Sequence, residues 1–229
     1  VVALVNVVLK LGGHVVFGEN VDTDLLNGYV RLLGELYDGG RWVVVVGGGE
    51  QARRYIAAAR KIGLDEATCD EAAIKVTRLH AYLFARALGD LAVQAVPTTV
   101  DELRYLTGFG KVVVSGGLQA GQSTMAVSIH AASVIGAERV VVASDVDGVY
   151  TDDPKKNPEA KLLPRISFAQ LAEISKKVSQ RAGDYQLIDA VGLAMALRTR
   201  IPLYYVNGNN LEAVRQALMG RQAGTIVAD

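Results

Sequence analysis

The chain has 229 residues, half of them hydrophobic, and its 24 basic and 24 acidic side chains leave no net charge. That length supports one large α/β domain or two lobes sharing a sheet, and the charge balance argues against a nucleic-acid binder working through bulk electrostatics. The single cysteine, Cys69, leaves no disulfide framework or cysteine-based zinc site and is expected to be a small buried hydrophobe.

In chain order, residues 1–11 read as a strand that stops at Gly12-Gly13. The apolar run is too short to span a bilayer and lacks a basic n-region and a cleavage site. With neutral charge and one thiol, this points to the cytoplasm. Asp22 or Thr23 caps a helix whose apolar positions, Leu25, Leu26, Tyr29, Leu32, Leu33 and Leu36, have helical spacing, and Gly39-Gly40 stops it. The unbroken apolar run 42–46 predicts a strand buried on both faces. Gly47-Gly48-Gly49 turns it into a helix from about 50 to 61, and a long helix follows over 66–88. A short strand is expected at 91–96, closed by Pro97, then a helix from Thr99 to near Gly108. The strand from Val112 ends at Gly116-Gly117 and leads through a polar loop into a helix reaching about Ile135. A strand at 139–143 runs into SDVDGVYTDDPKKNP, too polar and turn-rich for regular structure. Helices near 168–174 and 186–198, a strand at 203–206, a helix at 211–219 and a strand at 225–227 complete the chain. The alternation predicts an α/β fold, a mostly parallel central sheet with helices on both faces. No linker or fixed-period repeat is visible, and a mild boundary falls near Gly136.

Four segments carry chemistry. The stretch from Gly116 reads G-x-x-x-x-G-Q-S, a P-loop pattern with Gln122 where the lysine should be, so positive charge must come from elsewhere. Lys10, at a strand end before glycines, should point out of the carboxyl edge of the sheet, where ligands of open α/β sheets bind. The alternative is a strand-end lysine reaching solvent. Gly47–Ala52 fits the dinucleotide fingerprint G-x-G-x-x-A, with Asp65 and Asp70 near the distance of its ribose-binding acid. That fingerprint normally follows the first strand of a unit and here follows the second, so a structural glycine turn stays open. Arg53 on the first helical turn would place a guanidinium beside a bound phosphate.

The loop 144–153 holds Asp145, Asp147, Asp152 and Asp153 around Tyr150, with Lys155-Lys156 beyond. Acids next to lysines at a strand end suit a Mg²⁺–nucleotide, with tyrosine against the base; a solvated acidic turn is the plainer reading. Its D-x-D-G lacks the twelfth-position glutamate of a calcium loop. His14 follows the first glycine turn and could touch a phosphate. His80 and His130, on predicted helices, read as packing or surface residues, and no histidine pair has zinc-ligand spacing. No protein-bound metal is expected, and neither G-x-S-x-G nor a Cys–His pair is present for acyl chemistry.

Five segments in this order, KLGG at 10–13, GGGEQARRYI at 47–56, TRLHAYL at 77–83, GKVVVSGGLQAGQST at 110–124 and DVDGVYTDDPKKNP at 145–158, resemble the amino-acid kinase superfamily and, within it, the archaeal-type uridylate (UMP) kinases. The resemblance covers nearly the whole chain. It implies a three-layer sandwich that transfers the γ-phosphoryl group of ATP to UMP without a covalent intermediate, with Mg²⁺ carried by ATP. It implies one kinase domain over 1–229, with a UMP-binding lobe over about 1–136 and an ATP-binding lobe over about 137–229. Gly12, Gly13, His14, Gly49 and Arg53 would surround the ATP phosphates, and Ser144, Asp145, Tyr150 and Asp153 would hold the rest of ATP. Gly48, Asp70, Leu118, Gln119, Ala120, Gly121, Gln122, Ser123 and Thr124 would hold UMP, with Asp70 on the ribose. Lys10, Arg53 and Lys156, or its neighbour Lys155, would act on the transferring group. The family is typically hexameric, built from dimers, and neither membrane nor nucleic acid is implied as a partner. Met125 stands where many relatives carry aspartate, Asp145 where asparagine is usual and Ala120 where proline is usual. The alternatives are a relative that phosphorylates a carboxylate or phosphate ester, or a non-catalytic nucleotide-storage relative.

Overall fold

The computed structural model describes residues 4–178 and 187–229. Among them seven strands form one sheet: β1 (Val7–Leu11), β2 (Trp42–Val46), β3 (Val113–Ser115), β4 (Arg139–Ser144), β5 (Arg165–Ile166), β6 (Leu203–Asn207) and β7 (Thr225–Val227). Their order is β3-β2-β1-β4-β6-β7-β5, and every pairing is parallel except β6 with β7.

Alternation along the strands sorts the apolar side chains into two cores. Val7, Leu9, Leu11, Val44, Val46 and Val114 meet α2 (Thr23–Leu36), α4 (Glu66–Leu88) and α9 (Leu211–Leu218) on one face. Val8, Val43, Val45, Val113, Val140 and Val142 meet α5 (Val100–Leu106), α6 (Thr124–Ile135), α7 (Phe168–Val178) and α8 (Ala190–Thr199) on the other. Strands buried on both faces need continuous apolar runs, which is what VVVV provides in β2. Helix starts are set by side-chain caps: Asp22 accepts from Leu25 N, Asp65 from Thr68 N, and Thr99 from Glu102 N. Cys69 is buried, as expected.

Several expectations shift. The strand expected at 91–96 is a 3₁₀ turn at Gly89–Leu91 followed by a single bridge from Ala92 to Val112. The Gln94 amide there donates to the carbonyls of Ala85, Gly89 and Ala92, which ties the segment to the end of α4, and the pairing goes no further than this one bridge. A helical turn, α1 (Gly13–Val16), and the two-residue β5 were too short to leave a periodic signal. The first strand begins at Val7 and α8 at Ala190; Val1 and Gln186, the ends expected for these elements, lie outside the described residues.

Candidate functional site

The chain lays down β1, moves outward through β2 and β3, then returns with β4 on the opposite side of β1. The carboxyl ends of β1 and β4 therefore diverge at a topological switch point, the place where open α/β sheets bind ligands. Gly12 N–H still donates to the Ala143 carbonyl at 2.8 Å, so the two strands stay together up to the cleft. Lys10, the penultimate residue of β1, keeps partial exposure, and burial lowers its pKa against an opposing pull from Asp145. His14 Nε2 lies 2.8 Å from an Arg53 guanidinium nitrogen. Since arginine only donates, Nε2 is the acceptor and the ring is neutral. Burial is the main cause that holds the His14 pKa down, reinforced by Arg53, Lys10 and Lys155 and opposed by Asp145. The Lys155 ammonium pairs with Asp145. Burial raises the pKa of Asp145, but the Lys155 hydrogen bond and charge more than offset it, and the carboxyl sits below its usual value. Lys10, His14, Arg53, Asp145 and Lys155 thus form one mutually coupled cluster. Of the expected pair Lys155-Lys156, the Lys155 ammonium is the one paired with Asp145.

The glycines after β1 and β2 pack backbone against backbone. A Cβ on Gly13 would lie 2.1 Å from Gly49 N, and Gly49 has φ +57° with a Cβ position 2.5 Å from the Phe17 carbonyl. No side chain fits at either position. This close approach explains the G-x-G-x-x-A spacing without a dinucleotide. Asp65 is spent on capping α4 (Thr68 N 3.0 Å, Thr68 Oγ1 2.8 Å), which leaves Asp70 as the acid that faces a cavity.

That cavity, about 380 Å³, is lined by Gly48, Gly49, Asp70, Thr77, Ser123 and Asp189 among others. Three helix N-termini open on it: α3 (Gly49–Lys61) through Gly48 and Gly49, α6 through Ser123 and Thr124, and α8 through its cap Asp189. The α3 terminus, which has no side-chain cap, brings unpaired backbone N–H groups, whereas at α6 and α8 the caps Ser123 and Asp189 take up first-turn N–H groups and the positive end of the dipole is what remains to favour an anion. Asp70 Oδ2 accepts from Gly121 N at 2.8 Å, so the P-loop-like segment is tied to a carboxylate of α4. Its Oδ1 has no protein partner among the described residues. Of the expected acceptor residues, Gly48, Asp70, Gly121, Gln122, Ser123 and Thr124 line the cavity. The Leu118 side chain instead packs in the core, while Gln119 is exposed and Ala120 half-buried.

Three residues in this wall were not singled out by the sequence. Thr77 Oγ1 accepts from Gly117 N at 2.7 Å and donates to the Ile74 carbonyl. Arg78 donates to the carbonyls of Gly117, Leu118 and Thr98 at 3.0–3.1 Å, clamping the loop from behind. Asp189 Oδ1 caps α8 through Val191 N and Gly192 N, while Oδ2 accepts from Ser123 Oγ, which itself caps α6. Met125 is buried in the core, so the cavity's second carboxylate comes from Asp189. Thr77 and Arg78 sat inside a recognisable segment, but nothing in the spacing joined Asp189 to Ser123, 66 residues away.

The acidic loop is largely internally bonded. Asp147 accepts from Tyr150 Oη and Asn207 Nδ2, Asp152 from Asn157 Nδ2 and Asp153 N, and the buried Asp153 from Lys155 N. Ser144 Oγ donates to the Val146 carbonyl. Among the described residues no group of three or more acids, histidines or cysteines is arranged to hold a metal, and no helix is long and apolar enough to cross a membrane.

Residues 6–207 match the model of the amino acid kinase family. The uridylate kinase of Hyperthermus butylicus is 40% identical, with 96% of this chain and 97% of that protein covered. The uridylate kinase of Methanothermobacter thermautotrophicus is 36% identical over 97% and 99%. The crystal structure of uridylate kinase from Archaeoglobus fulgidus superposes with a TM-score of 0.86 at 33% identity, over 97% of this chain and 99% of that one. A mostly parallel sheet with its cationic cluster at the switch point, and these full-length likenesses, place the chain in the amino acid kinase family.

Proposed function

We propose that this chain is a uridylate kinase, transferring the γ-phosphoryl group of ATP to UMP to give UDP and ADP in pyrimidine metabolism. The observation that carries the reading is the juxtaposition of two anion-favouring sites across the Gly12–Gly13 and Gly47–Gly49 nest. One is the cavity of three helix N-termini with Asp70, sized for a nucleoside monophosphate. The other is the Lys10, His14, Arg53 and Lys155 cluster, suited to a triphosphate. In-line transfer between two anions needs little covalent chemistry from the protein and depends on positioning and charge.

In this reading UMP sits in the N-terminal lobe, its ribose on Asp70 Oδ1 and its phosphate against the N–H groups of Gly48 and the loop ending at Ser123 and Thr124. ATP sits against Gly12, Gly13, His14 and Gly49, and towards Ser144, Asp145, Tyr150 and Asp153 in the C-terminal lobe. Lys10 lies between the two and meets charge that develops during transfer, with Arg53 and a lysine from Lys155-Lys156 on the phosphates. Mg²⁺ enters as part of the nucleotide substrate, consistent with a loop whose acids are already bonded. We further assign the chain a cytoplasmic setting and a hexamer built from dimers; the exposed Leu79, Tyr82 and Leu83 on α4 offer an apolar stripe for such contacts.

A coupled kinase assay across UMP, CMP, acetylglutamate and isopentenyl phosphate tests the reading. UMP should be the preferred acceptor. Preference for acetylglutamate or isopentenyl phosphate would reassign the cavity, and no turnover with any acceptor would favour a nucleotide-storage protein.

A further inference from the structure

His80 is a titratable side chain in the centre of the molecule to which the reaction above gives no task. It lies on α4 and is 1% exposed. Its ring stacks flat on Phe17, with centroids 4.2 Å apart and planes 6° from parallel. Nδ1 lies 3.0 Å from the Gly47 carbonyl and Nε2 3.3 Å from the Gln51 amide. One ring therefore touches the segment after β1, the turn after β2 and the first turn of α3, the three pieces that form the glycine nest. The same helix, α4, lines the acceptor cavity through Asp70, Ile74 and Thr77.

A carbonyl only accepts, so Nδ1 carries the proton. Burial lowers the His80 pKa, against the Gly47 bond, which keeps the ring neutral and leaves Nε2 to accept from the Gln51 amide nitrogen once that amide is turned by a half-rotation. The consequence lies in the next peptide unit. In a planar trans peptide the carbonyl of one residue and the N–H of the next point in opposite directions. Holding the Gly47 carbonyl towards α4 therefore turns the Gly48 N–H away from it. Gly48 lines the cavity, and its N–H has no protein acceptor among the described residues. A glycine peptide has no side chain to fix its rotation, so something outside must do so.

We propose that His80 is a positioning residue for phosphoryl transfer: its Nδ1–H holds the Gly47 carbonyl so that the Gly48 N–H is presented to the acceptor phosphate. The inference rests on the uridylate kinase reading of the cavity. Two substitutions separate this role from packing. His80→Phe keeps the stacked ring and the buried volume but removes the donor. His80→Asn loses the stack but places an amide nitrogen where Nδ1 stands. Positioning predicts that His80→Phe raises the KM for UMP about tenfold or more, as for one hydrogen bond to a charged group, with a much smaller change in the KM for ATP. His80→Asn should stay within about threefold of the unsubstituted chain by the same reasoning. Packing predicts the reverse order. A His80→Phe variant equal to the unsubstituted chain, an equal loss in both variants, or a larger loss in His80→Asn overturns the inference. Nitrogen-15 NMR of the unsubstituted protein gives a readout free of folding effects: the Nδ1–H tautomer supports the inference and the Nε2–H tautomer overturns it. If the unsubstituted chain does not phosphorylate UMP, the functional reading fails and takes the inference with it; if it does and His80→Phe matches it, only the inference fails.

Discussion

The two halves of the site are built by different means. The acceptor cavity is held mainly by bonds to backbone, Thr77 on Gly117, Arg78 on Gly117 and Leu118, and Asp70 on Gly121, with one exposed side-chain bond, Ser123 to Asp189. Its shape exists before any ligand arrives. The cationic cluster is instead made of partly exposed long side chains whose charges are engaged with one another, Lys155 on Asp145 and Arg53 on His14. In the proposed reading, arriving phosphates would displace those partners. A preorganised pocket next to a rearranging cluster teaches where substitutions should act: in the cavity on acceptor affinity and fold stability, in the cluster on turnover and proton balance.

The largest effect should come from Lys10 of the cationic cluster, which the proposed reading sets at the transferring group. Lys10→Met keeps the stem and its packing and removes the cation. Turnover should fall about a hundredfold or more, in line with about 2.7–4 kcal/mol for one preorganised electrostatic contact. UMP affinity, measured on the same folded variant, should change far less, because the cavity's N–H groups and Arg53 remain. Near-normal turnover would remove Lys10 from the transfer centre and leave the cavity as the whole site.

On the cavity side, Asp70→Asn should weaken UMP about tenfold or more, since a charge-assisted bond contributes about 1.5–3 kcal/mol. Part of that loss will come through the Gly121 tether, so binding of ATP serves as the control and should stay nearly intact. An unchanged UMP dissociation constant by calorimetry would reduce Asp70 to a loop anchor. Thr77→Val tests the scaffold behind it. The substitution leaves the buried Gly117 N–H without an acceptor, so urea unfolding should show a loss of about 1–3 kcal/mol. A variant as stable as the parent would mean that Arg78 alone holds the loop.

Much of this was legible because strand, turn and helix signals in α/β units are local. The apolar run at 42–46 and the cap at Asp22 are visible within a few residues, and their elements appear where expected. The expected strand at 91–96 shrinks to one bridge, Ala92 to Val112, beside a Gln94 amide turned onto the end of α4, a single-side-chain contact that no periodic pattern marks. Within the site, Asp70 and Asp65 were equally spaced candidates, and only the capping geometry separated them. Asp189 and His80 stayed hidden for a different reason. Their partners are Ser123 and the Gly47 turn, distant in sequence, and no periodic pattern marks a contact made once.

The smallest expected effect is a change in proton balance at His14, and it bears on the cluster's need to rearrange. Its pKa is depressed, mainly by burial and then by Arg53, from the usual value near 6.5. The folded, unliganded chain therefore binds fewer protons than the unfolded chain between the folded pKa and about 6.5. Over that window stability rises with pH, so His14 makes no contribution above it and a growing destabilising one as pH falls through it. Arrival of the ATP phosphates reverses the local field: they draw Arg53 away and add negative charge, both of which raise the His14 pKa. Binding of ATP near pH 6.5 should thus take up a fraction of a proton. Titration calorimetry in buffers of different ionisation enthalpy measures that fraction, and the same measurement on His14→Gln subtracts the proton uptake of the nucleotide itself. A difference between the two that vanishes by about pH 8, where the ring is neutral in both states, is the expected result. No difference at any pH would mean that Arg53 and His14 stay paired when the phosphates bind, and the contrast between a fixed cavity and a mobile cluster would then be wrong on the cluster's side.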